Sequence, residues 1–146
     1  MQKRFRIARR AVSAFCLEAL RVLGGPPHAL TIAFVTSGRM QALNREFLGR
    51  DYPTDVLSFC YPREAVDGIP CLGDVVIAPA AAWDAGRRRR AGLDREVRKL
   101  MIHGLLHLLG YDHEADSGEM LRLQRRLLRR RGLLRGGPVA DVRAEA

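Results

Sequence analysis

This chain predicts an α+β fold: a small mixed β-sheet packed with helices, one of them central and carrying a histidine motif. Three observations lead there. Apolar residues recur at helical spacing in some stretches and form short β-branched and aromatic runs in others. The two kinds of stretch mingle without the strict alternation of a doubly wound parallel fold. The 146 residues are 47% hydrophobic, which is enough to bury a core without disulfides.

From about Arg9 to Leu23, the residues Val12, Phe15, Cys16, Ala19, Val22 and Leu23 recur at helical spacing, and Gly24-Gly25-Pro26-Pro27 stops that helix. Ala29 to Val35 is rich in β-branched and aromatic residues and predicts a buried strand. Ser37 can cap a short helix through Met40, Leu43 and Phe47 that Gly49 ends. Asp51 to Asp55 is a turn into a second strand, Val56 to Cys60; Pro62 to Pro70 is a polar loop containing Asp67-Gly68; Leu72 to Ala78 is a third strand.

Pro79 starts a helix in Ala80 to Trp83, which gives way to Arg87-Arg88-Arg89-Arg90. Asp94 is the expected N-cap of the central helix, with Val97, Leu100, Met101, Leu105 and Leu108 on its buried side. Asp116 and Glu119 resemble a capping box opening a last helix. Its apolar residues are Met120, Leu123, Leu127 and Leu128, and Arg122, Arg125, Arg126, Arg129 and Arg130 fill the other faces. Residues 1–135 read as a single domain, and Gly136-Gly137-Pro138 begins a disordered tail over 136–146.

Cys16, Cys60 and Cys71 are odd in number and widely spaced, which predicts free buried thiols in a reducing cytoplasm. The basic N-terminus precedes an apolar segment, but Glu18 and Arg21 interrupt it and no small-residue cleavage site follows, so a cytoplasmic chain with no membrane partner is expected. Lys+Arg 25 against Asp+Glu 16 leaves a net charge of +9. That excess favours a polyanion, nucleic acid first, although arginine is used almost to the exclusion of lysine and coding bias would produce the same excess.

The stretch His103-Gly104-Leu105-Leu106-His107-Leu108-Leu109-Gly110-Tyr111-Asp112-His113 carries the chemistry. Two histidines four residues apart in a helix project from one face, and Gly110 supplies the left-handed residue that turns the chain and brings His113 back. Three imidazoles converging this way make a metal site with an open position, for which one Zn2+ per chain is the expectation. His28, alone in a loop, is read as a surface residue. The spacing equals that of the metzincin proteases, but Gly104 stands where they keep the glutamate base. The ligand pattern survives and the peptidase mechanism does not.

The histidine block also resembles the signature of the YbeY family, bacterial rRNA maturation factors described as metal-dependent single-strand endoribonucleases. Leu43-Asn44 with Gly49-Arg50-Asp51-Tyr52-Pro53-Thr54-Asp55-Val56-Leu57-Ser58-Phe59, and Leu72-Gly73-Asp74-Val75-Val76-Ile77, are similar to two upstream blocks of that family. The resemblance implies zinc on His103, His107 and His113, acting through a water. It also implies cleavage of single-stranded RNA in 16S rRNA 3′-end maturation and ribosome quality control, with the ribosome or its small subunit as partner. The chain departs from the family at Leu48, where an arginine is usual, and its N-terminal strand has one candidate, Gln2 to Ile7.

Arg50, Arg87, Arg88, Arg89 and Arg90 are candidate contacts to RNA phosphates, replacing the charge missing at Leu48; the run at 87–90 is equally an exposed loop. Asp112 and Glu114 flank a ligand and either orient it or belong to a solvated turn, and Asp55 and Asp74 take structural roles. Two other functions stay open. One is a ribosome-assembly factor that binds RNA around a structural zinc; the other is a metallohydrolase on another substrate, with peptidase chemistry disfavoured by Gly104.

Overall fold

The computed structural model of the chain describes residues 3–24, 28–60, 63–66, 68–89 and 92–144. The elements run β1 (Lys3–Ile7), α1 (Arg9–Leu23), β2 (Ala29–Phe34), α2 (Ser37–Leu48), β3 (Val56–Phe59), β4 (Arg63–Val66), β5 (Ile69–Ile77), α3 (Pro79–Arg88), α4 (Leu93–Leu108), α5 (Glu119–Leu128) and β6 (Ala140–Ala144). A 3-10 turn at Arg131–Leu134 links α5 to β6. The mixed sheet is small, as expected: β5 is its centre, parallel to β2 and antiparallel to β3 and β4.

β5 is central because its side chains alternate between two apolar layers. Val75 and Ile77 are fully buried in the main core with α1, α4 and α5. Val76 and Ala78 face a smaller cluster with Met40 of α2 and Leu57 of β3. Within β5 the register slips by one residue, since Ala29 pairs with Cys71 but Thr31 with Asp74. Gly73 sits at this bulge with φ +138°, and a Cβ there would lie 2.0 Å from the Phe59 carbonyl oxygen.

α4 is the core's organising helix. Leu93, Val97, Leu100, Met101, Ile102, Leu105, Leu106 and Leu108 are all buried. Fully burying one such side chain contributes about 1.5–3 kcal/mol, so this single helix carries a large part of the drive to fold. Gly92, and not Asp94, stands at its N-cap. Asp94 lies in the first turn, where its carboxylate accepts from the Val139 N–H at 2.6 Å and from Arg98 Nε at 2.8 Å. At α2 the cap is Thr36, whose hydroxyl accepts from the Arg39 N–H at 3.2 Å, in place of Ser37.

Three further expectations need correction. The polar loop from Pro62 contains a strand, β4, which forms a hairpin with β5 through a turn at Gly68, φ +77°. Arg63-Glu64-Ala65-Val66 lacks apolar alternation because ladder hydrogen bonds, which any residue can make, hold it at an edge. The expected disordered tail is ordered over Ala140–Ala144, where β6 pairs antiparallel with β1 in the register Ile7 to Ala140 through Lys3 to Ala144. Val139 and Ala140 are buried there. Of the three cysteines only Cys16 is buried; Cys71 is intermediate and Cys60 exposed. No described helix is long and apolar enough to cross a membrane.

Candidate metal centre

α4 ends in a Schellman turn. The Tyr111 N–H donates to the Leu106 carbonyl and the Gly110 N–H to the His107 carbonyl, both at 3.0 Å, and Gly110 takes φ +100°. The next turn is set by Asp112, whose carbonyl accepts from the Ala115 and Asp116 amides and whose Oδ1 accepts from the Glu114 N–H. Asp116 then receives the Gly118 and Met120 amides at 2.8 and 2.9 Å, which starts α5 and holds its own carboxyl below the usual carboxylate range. The whole path turns His113 back over the last two turns of α4.

There the three imidazoles meet, with ring centroids separated by 4.7, 5.2 and 5.3 Å. A ligating atom from each lies within 4.8 Å of the other two, so the cluster is positioned to bind a metal ion. His103 Nδ1 lies 2.9 Å from Gln124 Oε1, and His107 Nδ1 lies 3.0 Å from the Tyr111 carbonyl oxygen. Both partners are acceptors, so each Nδ1 carries the proton and each Nε2 keeps its lone pair. Those two Nε2 atoms are 3.1 Å apart, close to the ~3.4 Å expected of two nitrogens bound tetrahedrally at ~2.0–2.1 Å to one ion.

Electrostatics agree with the geometry. Burial pushes the His103 imidazole below the ordinary histidine value; the charges of His107 and His113 add to this, and Gln124 and Asp55 oppose it. A neutral imidazole is the form that ligates. His103 and His107 are half-buried and His113 is exposed, which leaves one side of the cluster open to solvent.

The packing around Gly104 explains why the protease pattern's glutamate is missing from this helix. Its face of α4 lies flat on the sheet, and a Cβ there would come within 2.5 and 2.9 Å of the Val75 methyls and 3.2 Å of Ser58 Oγ. Ser58 Oγ donates to the Gly104 carbonyl at 3.4 Å. Position 104 thus faces the core and not the open site. Asp112 and Glu114 are exposed, and Asp112 is engaged in its turn.

The arginine candidates are more scattered. Arg50 is exposed just after Gly49, which ends α2 with φ +67°. Leu48, also exposed, follows Phe47, whose ring packs edge-on against Phe59. Arg87 pairs with Asp84 at 3.1 Å and lies over the Trp83 ring; Arg88 is exposed; Arg90 lies outside the described residues. Arg89 reaches Glu96 at 3.2 Å, in the first turn of α4 and seven residues before His103, which is about 10 Å along the axis. Sequence reasoning missed Gln124, although the signal was present as a polar residue within the apolar stripe of Met120, Leu123, Leu127 and Leu128.

Residues 2–132 match the family described as Endoribonuclease YbeY. A relative from Anaeromyxobacter, "Endoribonuclease YbeY", is 40% identical over 97% of this chain and 77% of its own. One of the same name from Chromohalobacter salexigens is 45% identical over 69% and 67%, and one from Helicobacter pylori is 40% identical over 77% and 79%. The solution structure of TM1509 from Thermotoga maritima matches with a TM-score of 0.60 at 28% identity, covering 84% of this chain and 79% of that one.

Proposed function

The chain belongs to the YbeY endoribonuclease family, and from that premise we propose that it is a zinc-dependent endoribonuclease cutting single-stranded RNA. Its substrate on this reading is the 16S rRNA 3′ end, in maturation and ribosome quality control on the cytoplasmic ribosome. The observation that carries the reading is the cluster of His103, His107 and His113, with two Nε2 lone pairs turned to one point beside open solvent.

These three residues would hold the ion, and Gln124 and the Tyr111 carbonyl would fix the rings of His103 and His107. When bound, zinc supplies Lewis acidity and an acidified water without a carboxylate base. Arg50 and the 87–90 run are proposed contacts to the RNA backbone, with Arg50 and Arg88 the ones that no carboxylate engages among the described residues. A peptidase reading is disfavoured by the core position of Gly104, which admits no glutamate.

Metal analysis of the purified protein, paired with cleavage of a single-stranded rRNA fragment, tests the proposal. About one zinc per chain and cleavage lost in His107→Ala is the expected result. A wild-type chain that holds zinc and binds RNA without cutting it would point instead to an assembly factor. Cutting of protein while RNA survives would overturn the assignment.

A further inference from the structure

We infer that Arg122, Arg125, Arg126 and Arg129, on the outer face of α5, form the track that holds the phosphate backbone of an RNA strand beside the histidine cluster. This rests on the endoribonuclease reading above and adds a surface to it.

Position is the first argument. α5 buries Met120, Gln124 and Leu127 against the core, and Gln124 touches His103, so the helix is docked on α4 at the histidine cluster. Its first arginine folds back onto that turn: Arg122 Nη1 donates to the Ser117 carbonyl at 3.2 Å, four residues after His113. Asp116 lies within the field of both His113 and Arg122. The row therefore starts at the site and leads away from it.

Charge is the second argument. The four arginines are spaced i, i+3, i+4 and i+7, so neighbours along the row are like-charged pairs that weaken a helix. All four are exposed, and none forms a close ion pair with a carboxylate among the described residues, Asp116 acting on Arg122 only at longer range. Glu119, the acid of the first turn, is turned to the Ser117 N–H instead. Some arginines elsewhere are paired, with Arg87 on Asp84, Arg89 on Glu96 and Arg98 on Asp94, whereas α5 lines up four in one row. The repulsion that remains along this row is what a polyanion laid along the helix relieves. Guanidinium groups suit phosphate because each can donate two hydrogen bonds to it.

The test is the affinity of the full-length, zinc-loaded protein for a labelled single-stranded RNA across a salt series. Changing Arg122, Arg125, Arg126 and Arg129 together to glutamine should flatten the slope of log K against log salt by ~0.7 per lost contact, about 3 for all four. Zinc content should be unchanged, since arginine is no ligand. The fourfold lysine variant keeps the charges and should keep the slope. Glutamine at Arg9, Arg10, Arg39 and Arg95, all exposed, lowers net charge equally and should shift the slope by less than about one contact's share. An unaltered slope and affinity in the α5 glutamine variant, or equal flattening by the distant set, overturns the track. Wild-type protein that shows no salt-dependent RNA affinity would overturn the endoribonuclease reading itself.

Discussion

Gln124 Oε1 accepts a hydrogen bond from His103 Nδ1 at 2.9 Å, joining α5 to α4 across 21 positions of sequence. Gln124 is 8% exposed, so water does not replace it freely. An acceptor behind a ligating imidazole fixes its tautomer and raises its basicity, and losing such a partner typically lowers metal affinity 10–100-fold. Gln124→Leu should therefore weaken zinc binding by about that factor, read by competition with a chelator. Gln124→Glu places a charged acceptor at the same point and should tighten it. Equal affinity in all three proteins would mean that the contact only packs α5.

Gly104→Ala should destabilise the fold by about 1–3 kcal/mol, because a methyl there overlaps both methyls of the fully buried Val75. Thermal unfolding measures this. In the double variant with Val75→Ala, the loss should be smaller than the sum of the two single losses, since the clashing partner is gone. Strict additivity would place the strain elsewhere. Gly104→Glu should fail to fold stably and should gain no peptidase activity.

Asp94→Ala removes the acceptor for the Val139 N–H and the partner of Arg98. A loss of about 1.5–3 kcal/mol is expected, since both contacts are charge-assisted. Hydrogen exchange should localise it: the amides of β6 should lose protection before those of β5. Uniform loss across the chain would show that Asp94 acts on α4 alone.

The cysteines should separate by reactivity. Burial pushes the Cys16 thiol from 9.0 up to about 12, whereas Cys60 is exposed. At pH 8, a thiol reagent should label Cys60 quickly and leave Cys16 untouched until the protein unfolds. The raised value also fixes a sign. Between pH 9.0 and about 12 the unfolded chain ionises this thiol and the folded chain does not, so stability should fall across that window. Cys16→Ala should remove that part of the alkaline decline, and an identical decline in the variant would assign it to other groups.

The histidine motif was legible because its information is local: a four-residue helical spacing and one glycine put three rings together. Helix α1 was legible for the same reason, with apolar residues at period and a Gly-Pro stop. β4 and β6 were not: β4 has no apolar alternation of its own to read, and the partner of β6 is at the far end of the sequence. Which members of the arginine run are paired was not legible, since the engagement of Arg89 by Glu96 depends on how α3 packs against α4. Gln124 was visible as a polar interruption of an apolar stripe, but its partner lies on another helix.

The pairing of β1 with β6 has a consequence for the order of events during synthesis. Ile7 pairs with Ala140, so β1 waits through 132 intervening positions before its partner among the described residues exists. At ~5–20 residues per second that is on the order of 10 seconds, long compared with the formation of a helix or a hairpin. α4, the histidine turn and the mixed sheet are all synthesised within that interval. The two-stranded sheet therefore cannot close until α4, the histidine turn and the mixed sheet have all been synthesised, and its closure completes the core around α4 through Val139 and Ala140.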